Sequence, residues 1–268
     1  MNTERKPKKS KENPDFEFLD RTTKKTDFLR EDPWRVFRIQ SDLIQSLETM
    51  TRSLEDCQRV VAVFGSARKP ESDPYCRQAR EVCRQLGSKG FAVVTGGGQG
   101  IMEAANRGAQ EGGGLSIGMN IHLEHEQLPN RYLDAQHECM YFFIRKMMFA
   151  KYAHGFIIFP GGYGTMDELF EALTLVQTNK LTNFPVILFG CQYWQPLVVW
   201  LRDTMYPEGC ISQTDLARMA MTDSVETVVR WLEDAIEGRC HLDGGLAKAF
   251  GLPRPPAVEN TKAPEETL

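Results

Sequence analysis

Apolar runs and amphipathic segments alternate along the chain from about residue 59. Each apolar run has the length of a buried strand, and the stretch that follows it repeats apolar residues at helical spacing. The predicted strands cover 60–64, 91–94, 115–119, 156–159, 184–189 and 218–221, and the predicted helices cover 74–86, 101–110, 138–152, 166–176, 194–205 and 225–236. This alternation predicts an α/β fold, a Rossmann-like doubly wound and mostly parallel sheet with helices on both faces.

The two ends of the chain differ from this alternating part. Residues 1–32 are polar and Lys-rich, which predicts a disordered extension. A further helix is predicted from Pro33, because the apolar residues after it fall near helical spacing; it must pack on the domain or on a second subunit. Residues 239–268 are rich in Gly and Pro and predict a disordered tail. The sequence thus predicts one domain over 33–238 with an added N-terminal helix.

Composition narrows the class of protein. A net charge of −4 argues against a dedicated nucleic-acid binder. No apolar run approaches the roughly 20 residues of a membrane span, and the Lys-rich start is not followed by the apolar segment of a secretory signal. Seven scattered cysteines without a CxxC pair indicate thiols in a reducing compartment, and we expect the cytoplasm.

A glycine-rich turn follows the apolar run at 156–159. Its sequence is Pro-Gly-Gly-Tyr-Gly over 160–164, and Thr165 then stands where a helix N-cap is expected. A strand, a glycine turn and a helix start bring free backbone N–H groups together at the positive end of a helix dipole. We therefore expect this turn to bind a phosphate or carboxylate.

Two other predicted strands also end in small residues, at Gly65-Ser66 and at 96–100. Ligands of open α/β sheets bind outside the carboxyl ends of the strands, so the three turns are expected to converge on one crevice. Neither a P-loop nor a GxGxxG dinucleotide motif fits these glycines, which argues against ATP hydrolysis and NAD-linked redox chemistry. His122 and His125 lack an acidic or cysteine partner at metal-ligand spacing, and His137, His154 and His241 are isolated, so no metal site is expected.

Arg145 is predicted to project from an apolar helix surface, because the residues three and four positions away are Tyr141, Phe142, Met148 and Phe149. A cation there needs an anionic partner. Two interpretations remain open at this point: an ion pair with a core carboxylate, or a clamp on a phosphate or on developing negative charge.

Glu168 is similarly ambiguous. Thr165 to Glu168 fits a capping box, in which the glutamate only bonds back to the start of its helix. The same carboxylate also lies one turn into a helix that starts at an anion-binding loop, a position suited to activating water or holding a sugar hydroxyl. Glu103 has the matching position after the second glycine turn. The pair either faces one crevice or marks two ordinary helix starts.

Two motifs resemble those of a known family. Residues 160–168, PGGYGTMDE, match PGGxGTxxE, and 95–109, TGGGQGIMEAANRGA, are similar to that family's second glycine motif. The family is the Lonely Guy (LOG) group, often mislabelled as lysine decarboxylases, whose members resemble cytokinin riboside 5′-monophosphate phosphoribohydrolases. The resemblance spans about 33–237. The helix near residue 34 and the FFIRKMMF stretch resemble the longer, higher-oligomer branch.

The resemblance implies that the domain over 33–238 binds a nucleoside 5′-monophosphate and hydrolyses its N-glycosidic bond without a cofactor, acting as a homo-oligomer, dimer or hexamer. It implies catalytic roles for Arg145 and Glu168. The residues implied in substrate binding are Gly161, Gly162, Gly164, Thr165, Glu103, Gly97, Gly98, Ser66, Arg68 and Lys146. The alternative is a non-catalytic nucleotide or molybdenum-cofactor carrier of the same fold. A decarboxylase is disfavoured because nothing around Lys146, Lys151 or Lys180 marks a pyridoxal site.

Overall fold

A computed structural model describes residues 34–122, 128–239 and 242–251. The described chain contains one seven-stranded sheet in the order β4-β3-β2-β1-β5-β6-β7, and every neighbouring pair is parallel. The strands are β1 (Val60–Phe64), β2 (Ala92–Thr95), β3 (Ser116–Ile121), β4 (Ala135–Cys139), β5 (Phe156–Ile158), β6 (Val186–Phe189) and β7 (Met219–Thr222). The predicted α/β fold with a doubly wound sheet is confirmed, and the sheet is entirely parallel.

Helices connect these strands. They are α1 (Trp34–Ser53), α2 (Pro74–Ser88), α3 (Ile101–Glu111), α4 (Phe142–Tyr152), α5 (Tyr163–Gln177), α6 (Cys191–Trp200), α7 (Gln213–Ala217), α8 (Val225–Ile236) and α9 (Gly245–Ala249), with a π-helical turn at Leu201–Met205 and a 3₁₀ turn at Leu242–Gly244. Among the described residues, no helix combines the length and the apolar character needed to span a bilayer.

The sheet separates two apolar layers. Val61 and Val63 of β1 face a layer formed by α2, α3 and α8, whereas Val60, Ala62 and Phe64 face a layer formed by α1, α4, α5, α6, α7 and α9. This period-two alternation is what a parallel strand covered on both faces requires. The predicted N-terminal helix therefore packs on the domain, with Met50 fully buried.

Strand β4 corrects the sequence interpretation, which placed a helix over 138–152. Residues 135–139 pair in parallel with β3, and α4 begins only at Phe142. The segment reads Ala-Gln-His-Glu-Cys, and its side chains are mostly half-buried or exposed because β4 is an edge strand. It therefore lacks the continuous apolar run that indicated the other strands.

The predicted C-terminal tail also differs in part from the structure. Residues 245–249 form α9, and Leu246 and Ala247 are buried against the layer that contains α7. The short helix was missed because the surrounding Gly and Pro residues are typical of a tail. The predicted extension at 1–32 and the remainder of the tail after 251 lie outside the described residues.

Candidate active site

A cavity of about 920 Å³ opens at the carboxyl ends of β1, β2 and β5. The chain runs outward from β1 to β4 and then returns to β5 beside β1, so the strand order reverses at this edge, where α/β sheets bind ligands. The predicted site residues that line the cavity are Ser66, Arg68, Arg145, Gly161, Gly162, Gly164, Thr165 and Glu168. The structure therefore brings most of the predicted residues together.

The start of α5 forms one wall of the cavity. Gly162 is the N-cap, and the backbone N–H groups of Thr165 and Met166 both donate to its carbonyl oxygen at 3.0 Å. The amides of Tyr163 and Gly164 lie in the first turn, whose N–H groups lack intrahelical acceptors and occupy the positive end of the helix dipole. These amides are available to an anion in the cavity.

Thr165 is consequently not the N-cap. It is the third residue of α5, and the helix has no side-chain cap. Glu168 thus lies six positions into the helix, too far along to bond back to the cap, so the capping-box interpretation is wrong. Its side chain is instead 3% exposed and lines the cavity.

Glu168 and Arg145 form the charged centre of the cavity. The Nη2 atom of Arg145 lies 4.0 Å from Oε1 of Glu168. Burial raises the pKa of the Glu168 carboxyl to about 7, and the positive charges of Arg145 and Lys146 oppose this rise without cancelling it. A carboxyl group with a pKa near neutrality exchanges protons readily at physiological pH, as a general base must.

Aromatic rings orient Arg145. Its guanidinium carbon lies 5.1 Å from the ring centroid of Phe142 and 6.0 Å from that of Phe149, within the range of cation–π attraction. Both rings line the cavity. The two interpretations of Arg145, an ion pair with a core carboxylate and a contact with an anion, are therefore compatible, because the carboxylate that it approaches is Glu168 of the cavity.

Lys146 points to a neighbouring ion-pair cluster rather than to the cavity lining. Its Nζ atom lies 2.9 Å from Asp167 and 2.7 Å from Glu171, both on α5. Burial lowers the Lys146 pKa, but the hydrogen bonds to Glu171 and Asp167 outweigh that effect and leave the pKa raised. Lys146 thus ties α4 to α5 beside Glu168.

The second glycine turn contributes less of the lining than predicted. Gly96 lines the cavity, whereas Gly97 and Gly98 are buried behind it and are not lining residues. The Gly97 amide donates to Thr95 Oγ1 at 2.9 Å, and Asn130 Nδ2 donates to the Gly98 carbonyl at 2.9 Å. Glu103, half-buried on α3, also lies outside the lining. Direct substrate contacts by Gly97, Gly98 and Glu103 remain predictions.

Several lining residues escaped the sequence analysis. Tyr163 is 97% exposed at the start of α5, and Tyr193 Oη donates to the Gly161 carbonyl at 2.6 Å. Met102, Phe142 and Phe149 supply an apolar wall. Tyr163 is the variable residue of the PGGxGT motif and could have been found there. Tyr193 comes from α6, and no sequence pattern connects it to the glycine turn.

Among the residues that the structure describes, metal-ligating side chains do not cluster in the cavity. Within the described ranges, the group with metal-ligand proximity is Asp42, His137 and Cys139, at the contact between α1 and β4. The sequence gives no sign of this group, because Asp42 is distant in the chain and Cys139 falls within the helix predicted over 138–152. The expectation that His137 is isolated is therefore wrong.

Comparisons with known proteins agree with the motifs. A family model described as "Possible lysine decarboxylase" matches residues 102–232. The cytokinin riboside 5′-monophosphate phosphoribohydrolase LOG3 of Arabidopsis thaliana is 28% identical over 179 residues, which are 66% of this chain and 82% of that protein. The enzyme of that name from Mycobacterium tuberculosis is 28% identical over 63% of this chain and 91% of its own length. The chain is thus similar in sequence to proteins of the LOG family.

Solved structures of other proteins have a fold similar to that of this chain. The molybdenum cofactor carrier protein MCP from Chlamydomonas reinhardtii has a TM-score of 0.51 and 19% identity, over 67% of this chain and 99% of that one. Similarity at this identity concerns the fold alone. The carrier function of that protein therefore adds no argument about the chemistry of this cavity.

Proposed function

We propose that this protein is a member of the LOG family and hydrolyses the N-glycosidic bond of a nucleoside 5′-monophosphate, AMP or an N6-modified AMP such as a cytokinin riboside monophosphate. The products are the free base and ribose 5-phosphate. The observation that carries the proposal is the 4.0 Å approach of Arg145 to a buried Glu168 whose pKa is about 7, inside a cavity that also contains the start of α5.

The start of α5 suits the 5′-phosphate. Its first-turn amides and helix dipole favour an anion. A Cβ atom added at Gly162 or at Gly164 would meet no atom of the described residues within 4 Å, so among these residues both glycines border open space. A Cβ atom at Gly161 would instead collide with the Thr165 side chain. Gly161 therefore shapes the turn, whereas Gly162 and Gly164 leave room for the phosphate.

Glu168 has the properties of the base that activates water. At neutral pH about half of this carboxyl group is ionised, since its pKa is about 7. The carboxylate accepts a proton from water as the water oxygen bonds to C1′ and the bond from C1′ to the base nitrogen breaks. The departing base takes up a proton from solvent, and Glu168 later returns its proton to solvent. The carboxylate also stabilises positive charge on the sugar as the bond breaks.

Arg145 complements this role. Its guanidinium is a fixed fork of donors between two aromatic rings, and it holds the nucleotide and stabilises negative charge. Arg68 at the opposite turn, after β1, supplies a second cation to the lining. Two cations and a helix start suit a dianionic phosphate better than a neutral ligand.

The decarboxylase description has little support in the site. Lysine Schiff-base chemistry needs an amine with a lowered pKa, whereas the Lys146 pKa is raised by two carboxylates. The carrier alternative remains the rival, because a carrier would bind a phosphorylated ligand in the same cavity without cleaving it. The Glu168–Arg145 pair favours hydrolysis.

The test is an assay for release of free base from a panel of nucleoside monophosphates, including AMP and isopentenyladenosine monophosphate, with the corresponding nucleosides as controls. We expect base release from at least one monophosphate and much less from its nucleoside. Glu168→Gln should still bind the monophosphate but cleave it at least about a hundredfold more slowly. Tight binding without base release from any monophosphate would establish the carrier alternative.

We also propose that the protein is a homo-oligomer. We define the α1–α4 face as the exposed apolar residues Trp34, Phe37, Ile44, Phe143 and Met147, which are 40 to 67% exposed. Their spacing of three, four or seven residues places them along one side of each helix. An exposed apolar surface of this kind is typical of a subunit contact, and a second copy of the chain is its expected occupant.

A further inference from the structure

Three potential metal ligands converge outside the cavity, where α1 packs on β4. His137 and Cys139 are two residues apart on β4, so their side chains lie on the same face of the strand. Asp42 approaches them from α1, and one turn later Ser46 on the same helix also reaches Cys139. The proposed hydrolase mechanism uses none of these residues.

The donor atoms are close to the spacing of a metal site. His137 Nε2 lies 3.4 Å from Asp42 Oδ1, and the three ligand atoms all lie within 4.8 Å of one another. Tetrahedral Zn²⁺ holds sulfur at about 2.3 Å and nitrogen or oxygen at about 2.0 to 2.2 Å, so its ligand atoms lie about 3.3 to 3.6 Å apart. The Asp42–His137 distance fits this range, and Cys139 Sγ must approach by no more than about 1.2 Å to reach it.

Backbone hydrogen bonds orient the Asp42 carboxylate. Its Oδ2 atom accepts from the N–H groups of Met140 at 2.9 Å and Tyr141 at 3.2 Å, which leaves Oδ1 directed at His137. Ligating carboxylates are commonly held in this way by hydrogen bonds from the surrounding shell. Ser46 Oγ lies 3.6 Å from Cys139 Sγ and is positioned as a fourth ligand or as a donor to the thiolate.

We propose that Asp42, His137 and Cys139 form a structural transition-metal site, with Zn²⁺ as the cation that matches a thiolate, an imidazole and a carboxylate. Binding requires the Cys139 thiolate, so one proton passes from the thiol to solvent, and His137 binds as the neutral ring. The metal would join α1 to β4 immediately before α4, the helix that carries Arg145. The site and the hydrolase activity are independent, and either can hold without the other.

The same contacts also have an explanation that involves no metal ion. An Asp42–His137 hydrogen bond, together with the bonds that Asp42 accepts from the amides just before α4, accounts for two of the three residues without a metal ion. It does not require Cys139. Loss of metal binding on substitution of Cys139 therefore distinguishes the metal site from the hydrogen-bonded pair.

The test uses the full-length protein, stripped of metal with a chelator and reduced. Co²⁺ is added first, because a thiolate bound to Co²⁺ gives an intense charge-transfer absorption and a tetrahedral site gives visible ligand-field bands. Zn²⁺ affinity is then measured by competition with a chromophoric chelator. The variants are His137→Gln and Cys139→Ser. Cys210→Ser is the matched control, because Cys210 is an exposed free cysteine outside the cluster.

We expect one Co²⁺ per chain with a thiolate charge-transfer band, displaced by Zn²⁺. Removing a ligand should weaken Zn²⁺ binding at least about a hundredfold, since even outer-shell partners contribute 10- to 100-fold. Cys210→Ser should bind as the original protein does. The proposal is overturned if the unsubstituted protein shows no thiolate band, a result that needs no variant to fold. Equal binding by Cys139→Ser would also overturn it.

Discussion

Burial gives Glu168 the property on which its proposed function depends. Desolvation raises its carboxyl pKa to about 7 although two cations lie nearby, so the folded protein holds a carboxyl group that is only partly ionised at neutral pH. Where it has no chemical role, a buried carboxyl group of this kind lowers the stability of the folded protein. In a cavity at the carboxyl edge of the sheet, it is what a general base requires.

The pH dependence of base release should report this carboxyl group. Because the ionised form is the base, kcat/KM should fall about tenfold per pH unit below about pH 7 and level off above it. The measurement is kcat/KM for the best monophosphate across this range. The residual activity of Glu168→Gln should lack this limb. A limb of the same position in the variant would assign the titration to another group.

Stability should show the opposite trend with pH. The folded-state pKa of Glu168 is raised above its unfolded value of about 4.5, so its contribution is present at low pH and is lost as pH rises through about 7. The free energy of unfolding of Glu168→Gln, relative to that of the original protein, should therefore increase by on the order of 2 kcal/mol between about pH 5 and about pH 8. Urea unfolding of both proteins at the two pH values measures this difference, and a constant difference would show that the folded-state pKa is not raised.

The glycines at the start of α5 allow a matched comparison. Gly164→Ala adds a methyl group into open space within a helix, so it should stabilise the fold by about 0.5 to 1 kcal/mol while raising KM for the monophosphate. Gly161→Ala collides with Thr165 and should destabilise the fold. Thermal melts and substrate kinetics of the two variants separate these effects. An unchanged KM in Gly164→Ala would place the phosphate elsewhere.

At the scale of elements, the sequence pattern locates those helices and strands whose positions depend on local interactions. Helix α8 spans Val225–Ile236 as predicted, because Ser224 caps it by accepting from the Thr227 amide and its apolar residues repeat regularly. Strand β4 was missed because a polar edge strand is specified by its partner β3 rather than by its own residues. The start of α5 was misplaced by three residues because a glycine N-cap leaves no side-chain signal.

The same distinction applies to the candidate site. Arg145 and Glu168 could be named because their motifs are local, and the structure brings them within 4.0 Å. The Asp42–His137 contact could not be anticipated, because it joins residues 95 positions apart through the packing of α1 on β4. Gly97 and Gly98 belong to a recognisable motif, yet they are buried and do not line the cavity, which the motif alone does not reveal.

Lys146 on α4 forms ion pairs with Asp167 and Glu171 on α5, and this contact between the two helices leads to a prediction. Lys146→Met removes the cation that holds Asp167 and Glu171, and it removes one of the charges that lower the Glu168 pKa. The acid limb of kcat/KM should therefore move to higher pH, and Lys146→Arg should restore it in part. The control is Lys151→Met on the exposed side of the same helix. An unmoved limb would restrict Lys146 to a packing role.

At the scale of the whole molecule, the doubly wound sheet explains why one cavity collects residues from distant parts of the chain. Strand order reverses between β1 and β5, so the helices after these neighbouring strands diverge and leave an opening. The turns at residues 65–68 and 160–165 border this opening, and α4 closes one side with Arg145. Because α4 also carries part of the α1–α4 face, subunit contact and cavity shape are expected to be linked.

The last prediction concerns that face. Phe37 and Ile44 are 60% and 63% exposed on α1, so Phe37→Glu combined with Ile44→Glu should leave the core intact and weaken subunit contact by placing charge in an apolar interface. Light scattering should show an oligomer for the original protein and a smaller species for the double variant. Glu48→Lys, on the same helix with an exposed side chain, is the control for a change of surface charge. A monomeric original protein would contradict the proposed oligomer, whereas a smaller variant with an altered KM would show that a neighbouring subunit shapes the cavity.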